Sequence, residues 1–211
     1  MANKRLTTTP DWSAATAHLA AVDPIMGDII ARVGPCTLSP RTDYFANLAR
    51  AIYSQQISGA VAAALFAKFA ALFPAKTPTA KGTLALSDAD LRGTGLSRQK
   101  LAYIRDLAEH FAEGPLATHD FHALSDEEII DALTAVHGIG RWTAEMFLIF
   151  SLNRPDVFPV DDFGIKMNLR RAYGYKKMPK PRTMRRHARP WGPWRTVGTW
   201  YLWRLGDLPG E

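Results

Sequence analysis

Apolar residues recur at helical spacing along nearly all of this 211-residue chain, and no useful length of it alternates apolar and polar residues. A chain patterned this way has no half-buried sheet to build. It must bury helix stripes against other helices, so the expected fold is all-α, with about ten helices. "DWSAATAHLAAV" (11–22) and "DPIMGDIIARV" (23–33) read as amphipathic helices, the second opened by Asp23-Pro24. "PCTLSPRT" (35–42) reads as a loop. The stretch 43–73 reads as two helices parted near Ser58-Gly59. "PAKTPTAKGT" (74–83) is a turn-rich connector, and "SDADLRGTG" (87–95) a short helix with a glycine stop. Ser97 caps the next helix, and Ser125 with Glu128 three later forms a capping box. Beyond residue 160 come "DDFGIKMNLRRAYG", a basic loop with prolines, and "GPWRTVGTWYLWRL".

The length supports a real core, and 47% apolar residues argue against wholesale disorder. The single cysteine, Cys36, excludes an internal disulfide, a four-cysteine zinc site and an iron–sulfur cluster. Residues 1–10 contain basic residues but no apolar signal core, and no apolar run reaches membrane-spanning length. The chain therefore reads as soluble and intracellular, with no membrane partner. His119 and His122, three apart, would share a face of a helix, but no further zinc ligands accompany them.

The net charge is +6, and its distribution says more than its size. Residues 163–206 contain no acid and carry Lys166, Arg170, Arg171, Lys176, Lys177, Lys180, Arg182, Arg185, Arg186, Arg189, Arg195 and Arg204. Such one-sided charge suits a polyanion, or else forms a solvated basic face.

Within "LTAVHGIGRWTAEMFLIFSLNRPDVFPVDD" (133–162), Gly138 and Gly140 join a helix ending near Ala135 to one beginning near Arg141. So short a connection forces close helix packing. It is either an ordinary tight turn or a loop that aims helix-start amides at a phosphate. Asp161 and Asp162 precede a helix, where aspartate is a strong N-cap. One of them can cap, catalyse or do both. A carboxylate held by helix amides stays ionised at neutral pH, and a fixed negative charge stabilises an oxocarbenium-like transition state.

The stretch resembles the helix–hairpin–helix DNA glycosylase superfamily, on "HGIGRWTAEMF" and the Pro-Val-Asp-Asp-Phe block that follows. It is most similar to the 3-methyladenine DNA glycosylase II branch, on "AIYSQQIS" (51–58), "GLSRQKLAYIRDLA" (95–108) and "PWRTVGTWYLW" (193–203) as well. The likeness spans about 43–205. It implies two helical lobes around a cleft, without the N-terminal β domain that some members carry. The expected organisation is one domain over 1–211, with helices 11–34 packing on the C-terminal segment and the hairpin at 126–153.

The resemblance also implies roles. Asp162 would be catalytic and Asp161 its structural neighbour. Trp142, Met146, Phe163 and Trp203 would shape the base pocket, with Met146 where the family often has tyrosine. A cationic methylated purine over an aromatic face gains roughly 0.5–2 kcal/mol. Trp191, Trp194 and Trp200 read as core. Gln56 would fill the gap left by an everted base. Gln55 would bond backbone at the helix break. Gly138, Ile139, Gly140 and Thr143 would meet DNA. The carbonyls of Thr134, Val136 and Ile139 would hold a Na+ or K+ ion, and no cofactor would be required. Relatives that also cut the backbone place a lysine at the position of Trp142, and an indole cannot form an imine.

The sequence thus predicts a monomeric, monofunctional glycosylase that releases alkylated purines such as 3-methyladenine or 7-methylguanine from double-stranded DNA. The alternatives are a non-catalytic DNA-binding module and a glycosylase for deaminated bases. No RNA-binding motif is present.

Overall fold

The computed structural model describes residues 11–208, so the expectation drawn from residues 1–10 lies outside the described residues. The described residues are all-α, as the periodicity predicts, and contain no strand. The helices are α1 (Ser13–Val22), α2 (Pro24–Val33), α3 (Tyr44–Ser54), α4 (Gly59–Ala70), α5 (Ala80–Ala85), α6 (Asp88–Gly93) and α7 (Arg98–Ala112). They continue with α8 (Asp126–Thr134), α9 (Arg141–Phe150), α10 (Phe163–Ala172), α11 (Pro181–His187) and α12 (Arg195–Gly206). No described helix is long and apolar enough to cross a membrane.

Local chemistry starts many of these helices. Asp23, Ser58, Thr79, Ser87, Ser97, Ser125 and Asp162 each accept a backbone amide as the N-cap. Ser87–Asp90 and Ser125–Glu128 close capping boxes. Three expectations change. The basic loop contains α11, followed by a 3-10 turn at Arg189–Trp191. The connector after residue 74 contains the start of α5. His119 and His122 lie in irregular and turn backbone rather than on a helix, and His122 Nε2 is 3.3 Å from the Tyr44 hydroxyl.

The chain divides into two compact units, one formed by residues up to Pro40 with those from Leu148 onward, the other by Arg41–Phe147. In the first, α2 and α10 both pack on α12. Helix α12 buries residues on most of its sides, from Thr196 through Leu202 and again at Leu205. Its neighbour Trp191 is fully buried. The indole N–H of Trp191 and the hydroxyl of Tyr173 both donate to Asp23 Oδ2 at 2.8 Å. This half-buried carboxylate ties the start of α2 to the segment carrying α11. Trp200 is buried as expected, and Trp194 sits edge-on to Trp12.

In the second unit, α3 and α5 pack on α7. Tyr53, Phe66, Phe69 and Phe73 form one aromatic cluster, and Tyr44, Phe121 and Phe147 another. Burial pushes the Tyr53 hydroxyl up to about 12, and it meets Thr94 Oγ1 at 2.8 Å.

Candidate active site: a capped acid and a bracketed hairpin

Asp162 is the N-cap of α10. Its Oδ1 accepts the amide of Ile165 at 2.8 Å and the indole N–H of Trp203 at 3.2 Å. Capping sets the rotamer of the side chain, and the helix start places partial positive charge beside it. The residue is only 8% exposed, so the carboxylate does not stand in bulk water. A Cβ on Gly164 would come within 3.3 Å of Asp162 Oδ1 and 3.7 Å of Trp203 Cδ1, which shows how close the backbone approaches the acid. The Trp203 ring stacks on Phe150 at 5.4 Å and 22°. Asp161 differs in kind: it faces solvent and pairs with Lys166 at 3.5 Å. Phe163, directly after the acid, is 68% exposed. At that exposure the ring is not part of the core.

The second unit carries the hairpin. Helix α8 ends at Thr134 and α9 begins at Arg141, close to the expected bounds. Gly138 has φ +83°, and any Cβ there would overlap the Tyr103 ring. Both the conformation and the space require glycine. Gly140 is open, with nothing within 4 Å of a built Cβ. Ile139 and Thr143 are buried, so neither side chain stands open to solvent. Trp142 is 46% exposed on α9, and Met146, one turn further, is half-buried. Arg141 adds no free charge. Its guanidinium forks onto Glu127 at 2.5 and 3.0 Å, and Nε reaches Glu145 at 3.3 Å. The Glu127 carboxyl is held below its usual range by that hydrogen bond.

The carbonyls of Thr134, Val136 and Ile139 are the oxygens that would hold the expected ion. Thr134 ends a helix, where carbonyls run out of helical partners. That of Val136 takes only the Ile139 amide, at 3.1 Å, among the described backbone hydrogen bonds outside the helices. Oxygen-only ligands of this kind fit Na+ or K+, which would add a positive charge at the hairpin.

Helix α7 supplies a layer to whose residues the sequence assigned no role. Lys100, Tyr103 and Asp106 recur every third residue and share a face. Asp106 Oδ2 accepts the His137 amide at 2.6 Å and lies 2.9 Å from His137 Nδ1. Lys100 Nζ donates to the carbonyls of Tyr53 and Gln55 at 2.9 and 2.7 Å, and burial pushes its ammonium below the ordinary value. Gln55 does not simply serve the helix break. Its Nε2 reaches the Gly138 carbonyl at 2.7 Å. Gln56 is exposed, with φ +60°, a conformation that costs a non-glycine residue about 1–2 kcal/mol. The polar spacing on α7 is the one sequence signal that could have revealed this bracket.

A glycine hairpin between two helices, followed by a helix-capping aspartate, is the plan of a helix–hairpin–helix base-excision protein. The chain belongs to that family: the model of the HhH-GPD superfamily base excision DNA repair proteins matches residues 49–193. It is 34% identical over 199 residues to DNA-3-methyladenine glycosylase 1 of Schizosaccharomyces pombe, covering 92% of this chain and 87% of that one. It is 30% identical over 203 residues to the alkylbase DNA glycosidase-like protein mag2 of the same yeast, covering 94% and 95%. Among solved structures, the fission-yeast 3-methyladenine DNA glycosylase Mag1 in complex with abasic DNA aligns with a TM-score of 0.82 and 32% identity, over 93% of this chain and 98% of that one.

Proposed function

We propose that this chain is a monofunctional DNA glycosylase of base excision repair that hydrolyses the N-glycosidic bond of alkylated purines in double-stranded DNA. The observation that carries the reading is Asp162: a shielded carboxylate, held by an amide and an indole N–H, beside an exposed aromatic ring. As the base departs, the sugar gains positive charge, and a fixed negative oxygen lowers the energy of that state. Water then completes the hydrolysis and an abasic site remains. The indole of Trp142 offers no amine for an imine, so strand cleavage by that route is unavailable. Electron-rich faces at Phe163, Trp203 and Trp142, with the thioether of Met146, favour a cationic base such as 3-methyladenine or 7-methylguanine.

The target base must leave the stack, and Gln56 takes the vacated space. Backbone groups at Gly138, Ile139, Gly140 and Thr143 meet the DNA backbone. An alkali ion on the carbonyls of Thr134, Val136 and Ile139 would strengthen that grip, and the chemistry requires no cofactor. The basic residues of the acid-free segment add sequence-independent attraction. The two units work together as one glycosylase domain, and the protein acts as a monomer. An enzyme of genomic DNA works inside the cell, in the nucleoid of a bacterium or the nucleus of a eukaryote.

The test is chromatographic detection of free base released from methylated, deaminated and oxidised duplexes without added cofactor. Methylated DNA should give up 3-methyladenine or 7-methylguanine. Asp162→Asn should lose about 100-fold or more in rate while keeping DNA affinity. Binding without release by the wild-type protein would make it a DNA-binding module. Release from deaminated DNA alone would move it to another substrate class.

A further inference from the structure

Two loops that the proposed function assigns to DNA, the turn after α3 and the hairpin between α8 and α9, lie in the same unit and are joined directly. The bond from Gln55 Nε2 to the Gly138 carbonyl spans 83 residues and is part-buried. From the other side, Lys100 Nζ holds the Gln55 carbonyl. That carbonyl belongs to the peptide group linking Gln55 to Gln56. Fixing this plane restrains the φ rotation of Gln56, which sits at +60°. A residue held in that region persists only where its surroundings over-determine it. Asp106 and Tyr103, on the same face of α7, meet the hairpin at His137 and Gly138.

We propose that Gln55 and Lys100 are positioning residues for base eversion, locking the Gln56 turn to the phosphate-gripping hairpin so that seating one sets the other. The proposal rests on the glycosylase reading above. Neither side chain needs to touch the base. With the tie cut, the hairpin still seats on DNA, but Gln56 is free to relax toward negative φ and no longer enters the duplex on time. Binding of undamaged DNA, which needs no eversion, should then be separable from base release.

The experiment compares wild type with Gln55→Ala, Lys100→Met, Lys100→Arg and the double variant Gln55→Ala/Lys100→Met. Three quantities are measured: affinity for an undamaged duplex, fluorescence of 2-aminopurine placed beside a methylated base, and single-turnover release of 7-methylguanine at saturating protein. Gln55→Ala and Lys100→Met should each slow release by about tenfold or more, with a matching loss of the fluorescence rise, while undamaged-duplex affinity stays within about threefold. Lys100→Arg should recover part of the rate. The double variant should be little worse than the poorer single one, because both changes cut the same tie. Release at the wild-type rate in the variants, losses that multiply, or release falling only in step with undamaged-duplex affinity would overturn the proposal. Thermal melts check folding, and should Lys100→Met fail to fold, Gln55→Ala decides alone. Absence of release by the wild-type protein would instead count against the glycosylase reading itself.

Discussion

The indole N–H of Trp203 lies 3.2 Å from Oδ1 of Asp162, the same oxygen that caps α10. One ring therefore does two things: it fixes the acid and stacks on Phe150. Trp203→Phe separates them, keeping a ring against Phe150 and removing the donor. A hydrogen bond to a charged group contributes about 1.5–3 kcal/mol, so base release should slow by roughly 10- to 100-fold. DNA affinity should hardly change. Single-turnover rates with a parallel binding titration check this, and an unchanged rate would remove Trp203 from the machinery.

The two glycines of the hairpin should differ when each is changed to alanine. Gly138 combines φ +83° with the Tyr103 ring against its Cα. Gly138→Ala should destabilise the protein by about 1–3 kcal/mol, a fall in melting temperature of several degrees. Gly140 has open space and no positive φ. Gly140→Ala should leave the melting temperature nearly unchanged and affect only DNA affinity. Equal melting shifts would refute this division.

Arg182, Arg185 and Arg186 are exposed on α11, in a stretch without acids. Replacing all three with alanine should weaken binding to any duplex sequence alike. The slope of log affinity against log salt should become shallower by about 0.9 for each phosphate that is no longer neutralised. Titrations at several salt concentrations measure it directly. An unaltered slope would mean that α11 does not face DNA.

The contrast between α11 and the helix starts shows which features can be read locally. Ser97, Ser125 and Asp162 each cap through an amide three residues on, so the pattern lies within one turn of sequence. Helix α11 has no side-chain cap and only Pro181 at its start: Met184 is its only buried residue, with Ala188 buried just after it, and it depends on the packing beneath. The site divides the same way. Asp162 and the hairpin glycines are visible as residue types in a spacing. The Gln55–Gly138 and Asp23–Trp191 bonds span 83 and 168 residues and leave no local trace. The exposure of Phe163 is likewise a property of the packed chain, because periodicity assigns an aromatic to a helix without saying whether anything covers it.

The packing that supports α11 should be sensitive to acid. His187 lies against Tyr173, Tyr175 and Trp191, with its Nδ1 3.0 Å from the Tyr175 hydroxyl and Asp23 Oδ2 3.9 Å from its Nε2. Burial pushes the imidazole below its ordinary value, and the Asp23 charge only partly opposes that. Between the unfolded value near 6.5 and the depressed folded one, the unfolded chain binds more proton. Stability from this group is therefore intact above about pH 6.5 and is lost as pH falls toward the folded value. Melting temperatures should drop between about pH 7 and pH 5, and His187→Gln should flatten that part of the curve. Were the attraction of Asp23 stronger than burial, the folded value would lie above the unfolded one and acidification would stabilise the protein. A rising melting temperature over this range, or identical curves for wild type and variant, would therefore overturn the assignment.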